Sequence, residues 1–260
     1  MRFVSSAVGS FLGLVFPSRC LVCEAPLHPM RDCPLCPEHF RKILLVEPPL
    51  CSRCGRKMSG ESVEALVCAE CRSRSTYHDA GHSACAFAEP IRYLIHLFKY
   101  GKRRYLASFL GRLLVDYIRD RADMAGYDAI IPVPLHWRRH WTRGFNQALD
   151  LARPLSRHFC IPVMKGNLRR VRYTTPQVGL LGKERESNIR NAFRARNPAK
   201  VAGTRLLLLD DVITSGATLN ECARVLKRAG ASWVTIVTLA QASGTWVVPE
   251  PQALSGATRA

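Results

Sequence analysis

The sequence predicts an α/β protein, a parallel sheet flanked by helices, with a small cysteine-rich module in front of it. From residue 77 onward, short apolar strands alternate with amphipathic helices, a pattern typical of βαβ units. Residues 17–76 instead contain four Cys-x-x-Cys pairs and few long apolar periods. Such a segment needs a bound metal because it cannot build a large core.

These contrasts divide the 260 residues into four segments. Residues 1–16 have apolar side chains at helical spacing and predict an amphipathic helix that is too short to span a bilayer. Residues 17–76 form the cysteine-rich module, and residues 77–242 form the α/β domain. Residues 243–260 are rich in Ser, Gly, Pro and Ala and predict a disordered tail. With no transmembrane segment predicted, we expect a cytoplasmic protein.

Eight of the eleven cysteines make up the four pairs. Two pairs together supply four thiolates, which is the tetrahedral set that structural zinc favours. The module is therefore predicted to be a double zinc ribbon with two zinc ions, the first four cysteines on one ion and the last four on the other. A crossed assignment and an iron–sulfur cluster are the alternatives. The predicted ligands are Cys20, Cys23, Cys33, Cys36, Cys51, Cys54, Cys68 and Cys71.

Apolar periodicity places the elements of the α/β domain. Strands are predicted at 82–88, 128–133, 206–209 and 233–239. Helices are predicted at 91–100, 105–121, 145–159 and 219–229. Single cysteines at 85, 160 and 222 are predicted to be buried, because they lie in apolar surroundings.

The turn between the third strand and the last helix predicts a sugar-phosphate site. Two carboxylates, Asp210 and Asp211, follow the strand and can accept hydrogen bonds from ribose hydroxyls. The free N–H groups and the dipole of a helix start favour a phosphate in the loop. Thr218 and Glu221 have capping-box spacing, and the Gly-Lys-Ser/Thr of a P-loop is absent. The loop residues are Thr214, Ser215, Gly216, Ala217 and Thr218.

Charge also favours an anionic ligand. Lys plus Arg total 38 against 20 acidic residues, a net charge of +18, which favours polyanionic partners. Basic residues cluster at 99–104, at 132–147 and at 165–196. Lys99 and Arg143 are the candidate ligand contacts from these clusters.

Taken together, the motifs resemble type I phosphoribosyltransferases and, over residues 17–240, the ComF family with its ComFC and GntX-like members. The resemblance is carried by the Asp210–Thr218 motif and the double Cys-x-x-Cys head. Further matching segments are residues 94–101, 132–139, 143–147 and 177–193.

The resemblance implies a type I phosphoribosyltransferase-like fold that binds phosphoribosyl pyrophosphate with magnesium, or a related ribose 5-phosphate compound. It implies that Asp210 and Asp211 are catalytic residues that orient the ribose, and that residues 214–218 hold the 5-phosphate. It further implies a role in competence, in handling single-stranded DNA, or in sugar-acid utilisation. A DNA-uptake helicase or a recombination protein is a candidate partner.

Three functions compete at this point. The first is an enzyme that transfers phosphoribosyl groups to an acceptor that the sequence does not identify. The second is a nucleic-acid-binding module, suggested by the charge and by aromatic residues among basic ones. The third is a sensor of phosphoribosyl pyrophosphate without transferase activity. The candidate stacking residues for the second are Trp137, Trp141, Phe145 and Tyr173.

Overall fold

A computed structural model describes residues 19–27, 32–58, 67–135, 144–172 and 187–242 of the chain. The predicted helix at 1–16 and the predicted tail at 243–260 lie outside these ranges. Within them, none of the helices is long and apolar enough to cross a membrane.

The two halves of the cysteine-rich module share one local plan. In each half the first Cys-x-x-Cys pair lies in a turn closed by an isolated antiparallel bridge, Arg19 to Pro26 and Leu50 to Lys57. In each half a cysteine of the second pair then begins a short helix. These helices are α1 (Pro37–Arg41) after Cys36 and α2 (Ala69–Ser73) after Cys68.

Four parallel strands form the central sheet, in the order β1-β6-β5-β2. A separate antiparallel pair, β3 and β4, lies on either side of residues 173–186 in the sequence. The strands are β1 (Ala80–Ala86), β2 (Ala129–Pro132), β3 (Leu168–Arg170), β4 (Phe193–Ala195), β5 (Arg205–Ile213) and β6 (Trp233–Gln241). Because the sheet is parallel, the carboxyl ends of its strands lie at one edge, where α/β proteins bind ligands.

Helices cover both faces of the sheet. They are α3 (Ile91–Tyr100), α4 (Leu106–Arg119), α5 (Gln147–Phe159) and α6 (Ala217–Arg228). Side chains alternate along β5: Leu207 and Leu209 join the core of α3, α4 and α5, whereas Leu206 and Leu208 join the core of α6. The run of four leucines is therefore buried because both faces of this strand are covered.

Two sequence predictions near the site are wrong. The strand predicted at 206–209 continues through both carboxylates, because Asp210 pairs with Thr238 and Ile213 with Gln241 of β6. The last helix begins at Ala217 with Gly216 as its N-cap, so Thr218 lies inside the helix and makes no capping box.

Glu221, the other half of the predicted capping box, has different partners. Its Oε1 accepts a hydrogen bond from the N–H of Asn191 at 2.7 Å and lies 2.6 Å from Nη2 of Arg224. Among the single cysteines, Cys85 and Cys222 are buried as predicted, but Cys160 is exposed. Cys160 adopts a left-handed conformation at the end of α5, which takes it out of the buried face of that helix.

Candidate functional site

The two adjacent carboxylates lie near the carboxyl end of β5, at the edge of the sheet where α/β proteins bind ligands. Asp210 pairs with Thr238 and the next residue but one, Val212, with Ala240 of β6, and the N–H of Asp211 donates to Oδ1 of Asp210 at 2.9 Å. On the other side of β5, the N–H of Val133 donates to Leu209 O at 2.8 Å just beyond β2. Hydrogen bonding on both sides therefore fixes the position of this carboxylate pair.

Burial makes the charge of this pair costly. Desolvation, together with the neighbouring charge of Asp211, raises the pKa of Asp210 to about 7. Lys99 opposes this effect; its Nζ lies 2.7 Å from Oδ1 of Asp211, with the two side chains only 19% and 11% exposed. Such a perturbed, paired acid at a sheet edge is typical of a functional site.

The loop after β5 presents backbone donors. Thr214 and Ser215 connect the strand to Gly216, which has φ of 77° and caps α6. The positive φ explains why glycine occupies this position. The first N–H groups of α6 have no acceptor within the helix, and together with the helix dipole they favour an anion. The residues predicted to hold a phosphate, 214–218, lie together at the start of α6 and are a candidate anion cradle, in which the N–H of Ala217 donates to Oγ of Ser215 at 3.4 Å.

The structure brings most, but not all, of the predicted site residues together. Lys99, Asp210, Asp211 and residues 214–218 lie at one edge of the sheet. Arg143 lies outside the described residues, as do the proposed stacking residues Trp137, Trp141 and Tyr173.

Phe145 is not available for stacking on a base. It is only 5% exposed, and its ring packs against that of Phe98 with centroids 5.5 Å apart. Arg104 covers the same ring and forms a bidentate pair with Asp150 at 2.8 and 2.9 Å. This aromatic–basic group is therefore part of the packing between α3 and α5.

Arg170 is a cation near the site that the sequence did not single out. It lies at the end of β3, its guanidinium is 5.4 Å from the ring centroid of Phe193, and it lowers the pKa of Asp210. Arg170 belongs to the basic segment 165–196, and this clustering of charge was the only feature of the sequence that pointed to it. Only folding of the β3–β4 pair shows which of these arginines faces the carboxylates.

A cleft of about 470 Å³ lies beside Lys99. Its walls include Phe87, which follows β1, and the side chains of Tyr93, His96 and Tyr100 from the outer face of α3. The rings of His96 and Tyr100 have centroids 5.0 Å apart. Because Lys99 also pairs with Asp211, the cleft lies at the same edge of the sheet as the carboxylates.

The second cysteine cluster fits a tetrahedral metal ion. The Sγ atoms of Cys51, Cys54, Cys68 and Cys71 lie within 4.8 Å of one another, and those of Cys54 and Cys68 are 3.7 Å apart. Zinc–sulfur bonds of about 2.3 Å place the sulfurs of a tetrahedron about 3.8 Å apart. The donor set and spacing therefore support structural zinc, in the sequential assignment predicted.

The first cluster contains a ligand that sequence reasoning missed. Its four mutually close groups are Cys20, Cys23, Cys36 and His39. Sγ of Cys36 lies 3.8 Å from Sγ of Cys23 and 3.2 Å from Nδ1 of His39. Cys33, a predicted ligand, is outside this set, and its thiol donates to Leu35 O at 3.4 Å. The feature of the sequence that could have predicted His39 as a ligand is its spacing from Cys36, which is about one helical turn.

Family models match both parts of the chain. A phosphoribosyl transferase domain model matches residues 146–259, which include the carboxylates and the loop at 214–218, named the phosphate loop after its predicted ligand. A double zinc ribbon domain model matches residues 11–72. The fold, the site and these matches define the class: a phosphoribosyltransferase-like α/β protein with an N-terminal double zinc ribbon.

Curated relatives give the family. Competence protein F of Haemophilus influenzae is 34% identical over 233 residues, covering 87% of this chain and 98% of that protein. DNA utilization protein YhgH of Escherichia coli K12 is 34% identical over 229 residues, 86% of this chain and 96% of the relative. Competence protein ComFC of Bacillus subtilis is 27% identical over 196 residues, 73% and 76% respectively. The chain belongs to the ComF family, which confirms the resemblance drawn from its motifs.

Proposed function

We propose that this protein binds phosphoribosyl pyrophosphate, or a related ribose 5-phosphate compound, and transfers the phosphoribosyl group to an acceptor. The observation that carries the proposal is the paired Asp210 and Asp211 at the carboxyl edge of the sheet, followed directly by the backbone cradle at the start of α6. The phosphoribosyl transferase domain match supports it.

Each part of the site has a role in this reaction. The cradle of residues 214–218 holds the 5-phosphate through N–H groups and the helix dipole. Asp210 and Asp211 accept hydrogen bonds from the ribose hydroxyls and fix the sugar while its C1 develops positive charge. Lys99 balances the charge of Asp211. Magnesium, when bound with the ligand, neutralises charge on the pyrophosphate leaving group, and hard oxygen ligands suit it.

Calorimetric titration of phosphoribosyl pyrophosphate with magnesium into the wild type and an Asp210→Asn/Asp211→Asn variant tests this site. We expect binding to the wild type, and loss of binding in the variant with its melting temperature not lowered. No binding to the wild type would refute the proposal. Pyrophosphate release with one member of an acceptor panel would then establish transfer, whereas binding without release would favour the sensor function.

We also propose that the protein acts on single-stranded DNA in the cytoplasm, as part of competence or DNA utilisation. The names of its relatives in Haemophilus influenzae and Escherichia coli support this role. A DNA-uptake helicase or a recombination protein is the candidate partner for such a role. The specific structural support is the cleft on α3, where Tyr93 and Tyr100 are 40% and 59% exposed beside Arg92. Exposed aromatic rings next to arginines are typical of single-strand binding sites.

Fluorescence anisotropy of a labelled oligothymidine tests the DNA proposal. A Tyr93→Ala/Tyr100→Ala variant should bind more weakly by about 1–3 kcal/mol for each lost stack. Tyr105→Ala is the matched control, because Tyr105 is 62% exposed but lies outside this cleft. Binding should also weaken with salt. Equal affinity in all three proteins would rule out the cleft as the DNA site.

A further inference from the structure

The second zinc ribbon, residues 51–58 and 67–76, lies directly against the phosphate loop. Arg56 Nη2 donates to the carbonyl oxygen of Thr214 at 3.2 Å. Arg74 Nη1 donates to the carbonyl oxygen of Ser215 at 3.3 Å. These two carbonyls belong to consecutive peptide groups immediately before the N-cap of α6, and they lie about 140–160 positions away from the arginines in the sequence.

The elements that bear the second cysteine cluster hold both arginines in place. The carbonyl of Arg56 accepts from the N–H of Cys51 at 2.8 Å, so the cysteine turn fixes its backbone. Its Nη1 also lies 2.6 Å from Oε1 of Glu70, which stands between Cys68 and Cys71 on α2. Arg74 is the C-cap of α2. Both guanidinium groups are therefore carried by elements that the cluster of Cys51, Cys54, Cys68 and Cys71 organises.

Further contacts fix the ribbon to α6 and to the sheet. Asn220, on the first turn of α6, donates from Nδ2 to Ser75 O at 2.9 Å and accepts from the N–H of Tyr77 at 2.8 Å. A methyl group on Gly55 would overlap the backbone of Gly81 in β1. The backbones of ribbon and strand are therefore in direct contact, which leaves the ribbon little freedom to move relative to the loop.

The planarity of the peptide group gives these contacts a consequence. In a trans peptide the N–H points opposite to the C=O. The arginines hold the carbonyls of Thr214 and Ser215 toward the ribbon, and so the N–H groups of Ser215 and Gly216 face the other way, away from the ribbon. Two donors of the cradle are thereby oriented before any anion arrives, and pre-oriented donors bind more tightly than mobile ones.

We propose that Arg56 and Arg74 are positioning residues that orient the phosphate loop, and that zinc at the second cluster thereby controls affinity for the 5-phosphate ligand. The proposal rests on the phosphate site proposed above. It implies reciprocity, because a coupling between two binding sites acts equally in both directions. Phosphoribosyl pyrophosphate must then slow the loss of zinc from the second cluster.

The first ribbon provides the matched control. Arg112 of α4 donates from Nη2 to the carbonyl oxygen of Asp32 at 2.8 Å. This contact also joins an arginine to a backbone carbonyl between a ribbon and the α/β domain, but it does not involve the phosphate loop. An Arg112→Gln variant therefore removes the same kind of bond without touching residues 214–218.

The experiment is titration of phosphoribosyl pyrophosphate with magnesium into zinc-loaded wild type, Arg56→Gln/Arg74→Gln and Arg112→Gln proteins. We expect affinity to fall about tenfold or more in the double variant and to stay unchanged in Arg112→Gln. Partial recovery in Arg56→Lys/Arg74→Lys would show that the donated hydrogen bonds matter. If the double variant fails to fold, Arg74→Gln alone gives the same test, since Arg56 then retains its bond to Glu70.

Zinc release to a chelator supplies the second readout. Adding the ligand should slow release of one of the two ions in the wild type and of neither in the double variant. A double variant that binds as tightly as the wild type would overturn the positioning role and leave the phosphate site standing. Failure of the wild type to bind would instead overturn the phosphate site, and the inference with it.

Discussion

The two zinc ribbons share a local plan but support different parts of the molecule. The second ribbon contacts the phosphate loop through Arg56 and Arg74. The first ribbon packs Cys20, Leu35 and Cys36 into the core beneath α4. Between the ribbons, the N–H of Val46 donates to the carbonyl of Ala84 in β1 at 2.9 Å. The carbonyl of Val46 accepts from the hydroxyl of Tyr117 at 2.9 Å. The cysteine spacing thus specifies a ribbon, whereas the residues around it determine what the ribbon holds.

The largest test of this difference removes one metal at a time. Cys54→Ser leaves three ligands at the second cluster, and Cys20→Ser/Cys23→Ser leaves three candidate ligands at the first. Each variant should therefore reduce zinc content from two ions to about one, because structural zinc takes four ligands. Only Cys54→Ser should also weaken binding of phosphoribosyl pyrophosphate, by about tenfold or more. Metal analysis and calorimetry measure the two effects.

Equal loss of ligand affinity in both cysteine variants would break the comparison. It would mean that either ribbon acts through general stability. Measuring each variant well below its own melting temperature separates the two explanations, because a folded Cys20→Ser/Cys23→Ser protein should bind like the wild type.

Removing one ion pair at the ligand-binding edge of the sheet and one in the first ribbon should give a smaller difference, measured as stability. Lys99→Met leaves the buried Asp211 without its partner and should lower the free energy of unfolding by about 2 kcal/mol. Lys42→Met removes an equally short pair on α1 of the first ribbon, at 2.7 Å, but its side chains are 49% and 70% exposed. Solvent screens that pair, so we expect no measurable change in urea unfolding.

Substitution of Asp211 can sharpen this result. If the cost of Lys99→Met comes from an unpaired buried carboxylate, Lys99→Met/Asp211→Asn should recover much of the lost stability. A double variant no more stable than Lys99→Met would show that the lysine stem contributes through packing instead.

The carboxylates at the ligand-binding edge of the sheet should also make stability depend on pH. Burial and the charge of Asp211 raise the pKa of Asp210 to about 7, against 3.8 for an ordinary aspartate. The folded protein therefore binds more protons than the unfolded chain between these values, and this group makes stability fall as pH rises through the interval. Asp210→Asn removes the penalty and should stabilise the protein at pH 8 by up to about 4 kcal/mol.

At pH 4 the same substitution should have little effect, because this pH is close to the ordinary pKa of 3.8 and the folded state then binds only about half a proton more than the unfolded chain. Urea unfolding of the wild type and the variant at matched pH values measures the difference, and zinc release at acidic pH affects both proteins alike. A gain that is the same at pH 4 and pH 8 would contradict the assignment to the Asp210 proton. The expected gain in stability accompanies a loss of ligand binding, as is common at functional sites.

Local sequence patterns predicted much of this architecture. The other features depend on contacts between residues that are far apart in the sequence, and local patterns do not reveal these. The helix at 91–100 was predicted with its observed bounds because its apolar period is strong. The strand at 206–209 was predicted too short, because charges normally end strands, whereas pairing with β6 carries Asp210 and Asp211 within β5. Arg56 and Arg170 could not be selected from 38 basic residues, since only the fold brings them to the loop and the carboxylates.

The smallest effects are expected at the fourth ligand of the first zinc ion. The structure places His39 with Cys20, Cys23 and Cys36, whereas the sequence pattern predicts Cys33. Either single substitution, His39→Asn or Cys33→Ser, leaves three cysteines and one further candidate. We therefore expect both variants to retain two zinc ions with only slightly faster release to a chelator. Only the double variant should lose an ion.

Cobalt substitution identifies the ligand used, because the thiolate-to-cobalt absorption grows with the number of bound sulfurs. If the absorption weakens in Cys33→Ser but not in His39→Asn, Cys33 is the ligand. If the absorption is unchanged in Cys33→Ser, His39 is the ligand. Outright loss of zinc in one single variant would contradict the expectation that the two side chains can replace each other. In every case affinity for phosphoribosyl pyrophosphate should stay unchanged, because the first ribbon does not contact the phosphate loop within the described residues.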